Sequence, residues 1–157
     1  MSEQNKHHKD LYLSWKDIHS ISEDLAANLD GKSEWKGIIA VTKGGMIPAY
    51  IVAKELRINL IDTFCMYSYD HQDQNDAQIL KIPKIGDGDG WLIIDDLVDT
   101  GNTFKIIRDK LPKAHYACLY AKPIATGTTD SFITEVSQDT WIHFPWEQKS
   151  DFVPPVE

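Results

Sequence analysis

The stretch that decides the fold is Ile93-Ile94-Asp95-Asp96-Leu97-Val98-Asp99-Thr100-Gly101-Asn102-Thr103, an apolar run that ends in a polar loop. From Asn102 to Leu111 apolar side chains recur at helical spacing, and Pro112 stops the pattern. A buried strand, a polar loop and a helix in this order predict one unit of a parallel α/β sheet. Ligands bind such sheets at the carboxyl ends of the strands, so the loop is a candidate site.

This loop combines two features that suit a sugar phosphate. Residues Asp99 to Thr103 offer hydroxyls, small side chains and backbone N–H groups at a helix N-terminus, where an anion is stabilised. Asp95 and Asp96 can accept hydrogen bonds from neighbouring sugar hydroxyls or hold a magnesium ion. The plainer interpretation is that Thr103 caps the helix and the aspartates are only solvated. It suits a lone Asp or Thr better than this combination.

The flanking sequence alternates predicted strands and helices. Ser14 and Asp17 resemble a capping box for a helix that ends at Asp30-Gly31. The chain is therefore predicted to be α/β, with a central, mainly parallel sheet flanked by helices in one domain over residues 1–157. Residues 1–10 are predicted to be a mobile arm. Beyond Pro123 the chain is polar until Trp141, and Pro145, Pro154 and Pro155 predict an irregular tail. The other predicted elements are strands at Trp35–Val41, Ile58–Tyr67, Trp91–Ile94 and Tyr116–Ala121, a helix at Met46–Leu56 and a mobile loop at His71–Gln78.

Composition narrows the class of protein. A net charge of −8 argues against broad nucleic-acid binding, which needs clustered Lys and Arg. No apolar run approaches the ~20 residues of a membrane span, and the polar N-terminus does not resemble a signal peptide. We therefore expect a cytoplasmic protein. Cys65 and Cys118 lie in apolar, strand-like runs and are expected to be free buried thiols, with no metal-ligand spacing around them.

The acidic pair followed by Asp-Thr-Gly-x-Thr resembles the phosphoribosyl-diphosphate signature of type I phosphoribosyltransferases. The chain is also similar to the xanthine-guanine branch of that family over much of its length. The resemblance implies a type I phosphoribosyltransferase fold with a small irregular hood from residues 122–157 and a mobile loop. It also implies a purine salvage enzyme that transfers the 5-phosphoribosyl group to N9 of guanine or xanthine, and more weakly hypoxanthine. The similar segments are Glu34–Val41, Tyr69-Asp70-His71, Ile94–Gly101, Ala121-Lys122-Pro123, Gln138–Ile142, Pro145-Trp146 and Phe152–Pro155.

The resemblance implies roles for residues in two loops. Asp95 and Asp96 are expected to contact the ribose hydroxyls directly or through Mg²⁺, with Asp96 as the metal ligand. Asp99 is expected to face N7 of the purine as the general acid/base, and Asp99 to Thr103 to hold the 5′-phosphate. Lys43 and Gly44 match the loop that grips the diphosphate. Family members often have a cis peptide there, which would be Thr42-Lys43.

The base-binding residues are likewise implied by the resemblance. Lys122 is expected to donate to O6, which selects 6-oxopurines because adenine carries a donor at that position. Trp141 is expected to stack on the purine, and the Ile142 carbonyl to meet the group at C2. Ser68 and Tyr69 match the entrance of a loop that closes over the site.

Three departures from the family pattern stand out. Lys43 replaces a frequent Arg, which keeps the charge but loses the bidentate fork. His143 replaces an acidic residue beside the C2 pocket, where it could change the preference among 6-oxopurines. The loop His71–Gln78 has no Arg, and the role of the family's loop arginine is not assigned to Lys81.

Two other classes of protein are weighed against the enzyme. A regulatory phosphoribosyl- or nucleotide-binding module would need Asp95 to Thr103 but neither Lys122 nor Trp141. A phospho-accepting receiver domain usually places its acidic pair after the first strand, unlike this chain. The resemblance further implies a homotetramer with small-molecule substrates and at most a peripheral contact with the inner membrane.

Overall fold

The computed structural model describes residues 9–68 and 77–148. Three α-helices and a short 3-10 helix at Pro123–Thr128 accompany eight strands in these ranges. The strands are β1 Lys9–Tyr12, β2 Gly37–Val41, β3 Ile61–Ser68, β4 Ala77–Lys81, β5 Trp91–Val98, β6 His115–Ala121, β7 Ser131–Glu135 and β8 Thr140–His143. The helices are α1 Trp15–Leu29, α2 Met46–Leu56 and α3 Asn102–Lys110.

Six strands form the central sheet in the order β4-β3-β2-β5-β6-β7. Every neighbouring pair is parallel except β3 and β4, which run antiparallel. The mainly parallel α/β sheet predicted from the sequence is thus confirmed. A second sheet pairs β1 with β8 in parallel, with Asp10 opposite Trp141 and Tyr12 opposite His143. We call this β1–β8 sheet the hood.

Apolar side chains cover both faces of the central sheet. Along β2, Ile38 and Ala40 point to the layer that contains α1 and α2, whereas Ile39 and Val41 point to the layer that contains α3. This alternation explains why β2 reads as a continuous apolar run rather than as a half-buried strand. Burying each such Ile or Val contributes about 1.5–3 kcal/mol, and the two layers hold the strand ends in place.

Helices α1 and α3 differ in how their N-termini are capped, and the N-terminus of α3 belongs to the site. Ser14 Oγ accepts from Asp17 N at 3.1 Å and Asp17 Oδ2 accepts from Ser14 N at 2.8 Å, so the predicted capping box is confirmed. The backbone hydrogen bond from Ser14 lowers the pKa of Asp17. Helix α3 begins instead at Gly101, which is its N-cap and forms no side-chain cap hydrogen bond. The interpretation of Thr103 as a helix cap is therefore wrong.

Several boundaries differ from the sequence predictions. The predicted arm includes Lys9 and Asp10, which belong to β1. The polar stretch after Pro123, in which no strand was predicted, contains β7, which completes the edge of the central sheet, and the start of β8. The predicted loop His71–Gln78 overlaps β4 at Ala77 and Gln78, and the rest of it lies outside the described residues. No helix in the described part of the chain is long and apolar enough to cross a membrane.

Candidate active site

The loops that carry Lys43, Asp99 and Lys122 lie at one edge of the central sheet. They follow β2, β5 and β6, which are neighbouring parallel strands and therefore end at the same edge. Side chains from different loops meet there: Gly44 lies against Asp96, and Lys122 pairs with Asp99.

The loop after β2 needs glycine at two positions. A Cβ atom at Gly44 would lie 2.6 Å from Cγ and 2.7 Å from Oδ1 of Asp96, and one at Gly45 would overlap the Ile94 carbonyl. The loop backbone can thus approach the acidic pair only because these side chains are absent. The Thr42-Lys43 peptide bond is cis, as the resemblance implies, and the Lys43 side chain is exposed.

The two adjacent aspartates belong to β5 rather than to the loop after it, which corrects the predicted end of this strand at Ile94. Asp95 Oδ1 accepts from Asp96 N at 2.8 Å, and Asp96 Oδ1 accepts from Leu97 N at 2.7 Å. Burial, together with the neighbouring charge of Asp96, raises the pKa of Asp95 well above its usual range. Burial also raises the pKa of Asp96 to about 6, and the charge of Glu147 adds to this effect. A cation or hydroxyl donors would relieve this crowding.

The phosphate loop, Asp99 to Thr103, connects β5 to α3. Gly101 has φ +84°, and a Cβ atom there would meet the side chain of Thr128. Asn102 N donates weakly to Thr100 Oγ1 at 3.4 Å. Because the N-cap Gly101 forms no side-chain cap hydrogen bond, the other N–H groups of the first turn and the positive dipole end of α3 are presented to a ligand. This geometry fits the phosphate cradle expected from the sequence.

The base-binding residues line a cavity of about 200 Å³ beside the phosphate loop. Lys122 is only 2% exposed, and its Nζ lies 3.2 Å from Asp99 Oδ1. Trp141 is 49% exposed, whereas Ile142 points its side chain into the core and can offer only its backbone to the cavity. The lining residues are Asp96, Leu97, Asp99, Lys122, Thr140, Trp141, Ile142, Phe144 and Glu147.

The sequence predictions missed two residues at this site. Glu147 lines the cavity and acts on the charge of Asp96, yet its only signal in the sequence is its place next to the Pro145-Trp146 segment. Gln138 donates through Nε2 to Asp99 Oδ1 at 3.2 Å and to the Asp99 carbonyl at 3.3 Å. It stands at the start of the Gln138–Ile142 segment, whose resemblance to the family is the only signal for this residue in the sequence.

His143 is not among the residues that line the cavity, but its ring lies beside Trp141, which does line it. Its ring stacks on Tyr12, with centroids 4.2 Å apart and an interplanar angle of 5°, and its Nε2 lies 2.8 Å from Asp10 Oδ1. Parallel pairing of β1 with β8 puts these side chains on one face of the hood. His143 therefore joins the two strands of the hood, and its ring centroid is 6.4 Å from that of Trp141.

The remaining predicted residues are placed as follows. Ser68 ends β3 at the same edge of the sheet as the site, and Tyr69 lies outside the described residues. Lys81 pairs with Asp62 near the start of β3 and donates to Thr63 Oγ1 at 3.1 Å, so it lies toward the opposite edge. Among residues 9–68 and 77–148, no cluster of three or more His, Cys, Asp or Glu side chains is placed to hold a metal ion.

The fold and the site define a class of protein. A mainly parallel sheet with an acidic pair, a phosphate loop and a hood has the type I phosphoribosyltransferase fold. The phosphoribosyl transferase domain family model matches residues 10–152, and the chain belongs to this family of transferase enzymes.

Similar proteins narrow the comparison further. The xanthine-guanine phosphoribosyltransferase of Desulfotalea psychrophila is 52% identical over 99% of this chain and 96% of that protein. The protein of the same name from Nitratidesulfovibrio vulgaris strain DP4 is 46% identical over the same shares of each chain. Among solved structures, a purine phosphoribosyltransferase from Pyrococcus horikoshii is 27% identical with a TM-score of 0.76, covering 92% of this chain and 99% of that one.

Proposed function

We propose that this enzyme transfers the 5-phosphoribosyl group from phosphoribosyl diphosphate to N9 of guanine or xanthine, and more weakly of hypoxanthine. The observation that carries the proposal is the Lys122–Asp99 pair, with Nζ 3.2 Å from Oδ1, in the wall of a cavity that adjoins the phosphate loop. A buried ammonium beside a carboxylate can bind a 6-oxopurine at two atoms, because the ammonium donates to O6 and the carboxylate accepts from N7–H. The names of the similar proteins support the same substrates.

The reaction is a displacement at C1 of the ribose. The bond from C1 to the diphosphate oxygen breaks, the bond from N9 to C1 forms, and the diphosphate leaves with the bonding electrons. The ring then carries a surplus proton, which the Asp99 carboxylate accepts at N7. Lys122 stabilises the negative charge that develops on O6, so positioning and electrostatics supply most of the rate.

The sugar phosphate is assigned to the edge formed by β2 and β5. Residues Asp99 to Thr103 receive the 5′-phosphate at the start of α3, where no side-chain cap competes within the described residues. Lys43 and the Gly44 backbone receive the diphosphate, since Gly44 lies directly against Asp96. Trp141, which is half exposed, supplies the stacking surface for the purine.

The acidic pair fits a magnesium ion. Asp95 and Asp96 are adjacent carboxylates with raised pKa values, and a divalent cation would stabilise their ionised forms. Mg²⁺ commonly takes one or two protein carboxylates and completes its shell with phosphates and water, which is why no larger ligand cluster is needed. We assign Asp96 as the protein ligand. When bound, the ion would neutralise charge on the departing diphosphate.

Steady-state kinetics with guanine, xanthine, hypoxanthine and adenine test the proposal, each with phosphoribosyl diphosphate and with or without Mg²⁺. We expect nucleotide formation from the 6-oxopurines only, dependent on Mg²⁺. Equal use of adenine would remove Lys122 from base selection. Tight binding of phosphoribosyl diphosphate without turnover of any base would favour a regulatory binding module instead.

The loop-closing role of Ser68 and Tyr69 and the homotetramer stay predictions of the resemblance. The single-domain organisation over residues 1–157 and the cytoplasmic location stay predictions from length and composition. Light scattering coupled to size-exclusion chromatography tests the assembly, and a mass of one or two chains would contradict the tetramer.

A further inference from the structure

Asp99 needs external support if it is to act on the base. It lies just beyond the end of β5, and its side chain is 54% exposed. An exposed carboxylate has two rotatable torsions, whereas proton transfer requires a fixed oxygen within hydrogen-bond reach of N7. Preorganised donors around such a group are therefore expected.

Gln138 supplies such a donor from a distant part of the chain. It lies between β7 and β8, and its Nε2 donates both to Asp99 Oδ1 at 3.2 Å and to the Asp99 carbonyl at 3.3 Å. Its Oε1 accepts from Ile124 N at 3.3 Å. These partners determine the orientation of the amide, because only the NH₂ group can serve two acceptors and only the oxygen can serve an N–H donor.

The contacts of Gln138 connect the separate parts of the base site. Asp99 follows β5, Ile124 lies two residues after Lys122, and Gln138 itself leads into β8 with Trp141. Lys122 Nζ also contacts Asp99 Oδ1. Both side-chain donors therefore engage the same carboxylate oxygen, and Oδ2 is not the oxygen that they hold.

We propose that Gln138 is a positioning residue that, together with Lys122, locks Asp99 through Oδ1 and presents Oδ2 to the purine. The inference rests on the proposed function, since it assigns Gln138 to the same reaction. It makes the amide a determinant of the chemical step rather than of phosphoribosyl-diphosphate binding. No contact of Gln138 with the substrate is required.

Gln138→Glu, Gln138→Ala and the control Gln148→Ala separate this role from a structural one. The Glu variant keeps the length and an acceptor for Ile124 N, but it replaces the donor to Asp99 with a second carboxylate. Gln148 also lies next to the hood, and its Nε2 donates to the carbonyls of Leu13 at 2.7 Å and His143 at 2.9 Å, not to Asp99. It is a matched glutamine with a purely structural set of contacts.

The measurement is the single-turnover rate of nucleotide formation, together with the KM for phosphoribosyl diphosphate and the melting temperature. We expect Gln138→Ala to lose about tenfold in rate and Gln138→Glu to lose more, because a hydrogen bond to a charged group is replaced by repulsion. The KM for phosphoribosyl diphosphate should stay within about twofold of wild type. Gln148→Ala should lower the melting temperature without changing the rate.

The opposite order of rates would overturn the inference. If Gln138 only stabilised the fold, Gln138→Ala would be the slower variant and Gln138→Glu would stay close to wild type. Wild-type rates in Gln138→Glu would also overturn it while leaving the proposed function intact. If the wild-type enzyme used no 6-oxopurine, the function would fail instead. In that case, NMR of the Gln138 side-chain amide tests its contact with Asp99. The chemical shifts of this amide should change in Asp99→Ala, and unchanged shifts would show that the contact is absent.

Discussion

The amino and carboxyl ends of β5 and β6 differ in how their charged side chains are paired. At the amino end of β6, Asp130 Oδ2 accepts from Tyr116 N at 2.8 Å and from Arg108 Nη2 at 3.3 Å, and the guanidinium lies 4.0 Å over the Tyr116 ring. At the carboxyl end of β5, Asp95 and Asp96 crowd each other and their pKa values are raised. The amino end pairs its charges, whereas the carboxyl end combines one ion pair, Lys122–Asp99, with two carboxylates whose burial raises their pKa values.

This difference in the pairing of charged groups indicates which end of the strands binds a ligand. Groups that satisfy each other stabilise the fold, and nothing about them calls for a ligand. Two half-buried carboxylates side by side, and a helix start with no side-chain cap among the described residues, cost stability until a cation and an anion arrive. Substitutions at the two ends should therefore have separable effects on turnover and on stability.

The largest effect is expected from Asp99→Asn. This change removes the proton acceptor at N7 but keeps the size and a hydrogen-bonding oxygen, so turnover should fall by about 100-fold or more while the fold survives. Steady-state rates with guanine and xanthine, together with melting temperature, check both parts. Asp109→Asn, an exposed aspartate on α3, serves as the control. Unchanged turnover in Asp99→Asn would remove Asp99 from the mechanism.

The next largest effect is expected from Lys122→Met, which keeps a buried stem of similar length but removes the charge. The KM for guanine should rise about tenfold or more, since a charge-assisted hydrogen bond to O6 is lost. The KM for phosphoribosyl diphosphate should change little, because the phosphate loop is untouched. A parallel loss of affinity for both substrates would contradict the assignment of Lys122 to the base. Lys110→Met, at an exposed position of α3, controls for the loss of a lysine.

The two halves of the site also differ in how far the sequence could predict them. The phosphate loop is contiguous from Asp95 to Thr103, so its residue types and spacing carry the chemistry directly. The base half is assembled by long-range pairing: β1 reaches β8 across most of the chain, and Gln138 reaches Asp99 from the turn after β7. Short strands such as β1 and β7 have weak periodicity, and their pairing is decided by neighbours that are distant in sequence.

His143 shows that the contacts of a residue in the hood depend on the partner strand. Its place in the sequence, two residues after Trp141, suggested the C2 pocket. In β8, His143 lies on the same face as Trp141, and on that face the partner strand offers Tyr12 and Asp10, which His143 contacts. That partner strand could not be foreseen from a polar N-terminal segment.

At the amino end, Asp130→Ala should affect stability alone. The substitution leaves Tyr116 N without its acceptor and Arg108 without its ion-pair partner, and an unpaired buried donor costs about 1–3 kcal/mol. Urea denaturation measures the free energy of unfolding, and the turnover of the folded variant at low temperature should match wild type. A loss of turnover as large as that of Lys122→Met would show that the two ends are coupled.

The smallest effect is expected in the pH dependence of stability at His115. Burial lowers the pKa of this imidazole, and its Nε2 lies 2.8 Å from Ser131 Oγ. Below the ordinary His pKa of about 6.5 the unfolded chain takes up a proton that the folded chain resists, so the free energy of unfolding falls as pH drops through this range. Above that range the neutral ring imposes no such loss.

His115→Asn removes the titrating group and keeps a polar side chain near Ser131. Denaturation at pH 7.5 and pH 5.5 should show a smaller loss for the variant than for wild type, and turnover at pH 7.5 should be the same for both. Equal losses between the two pH values would mean that His115 does not resist protonation in the folded chain. A changed turnover at pH 7.5 would instead show that the paired end of the sheet reaches the site through β6, and the separation between the two ends would fail.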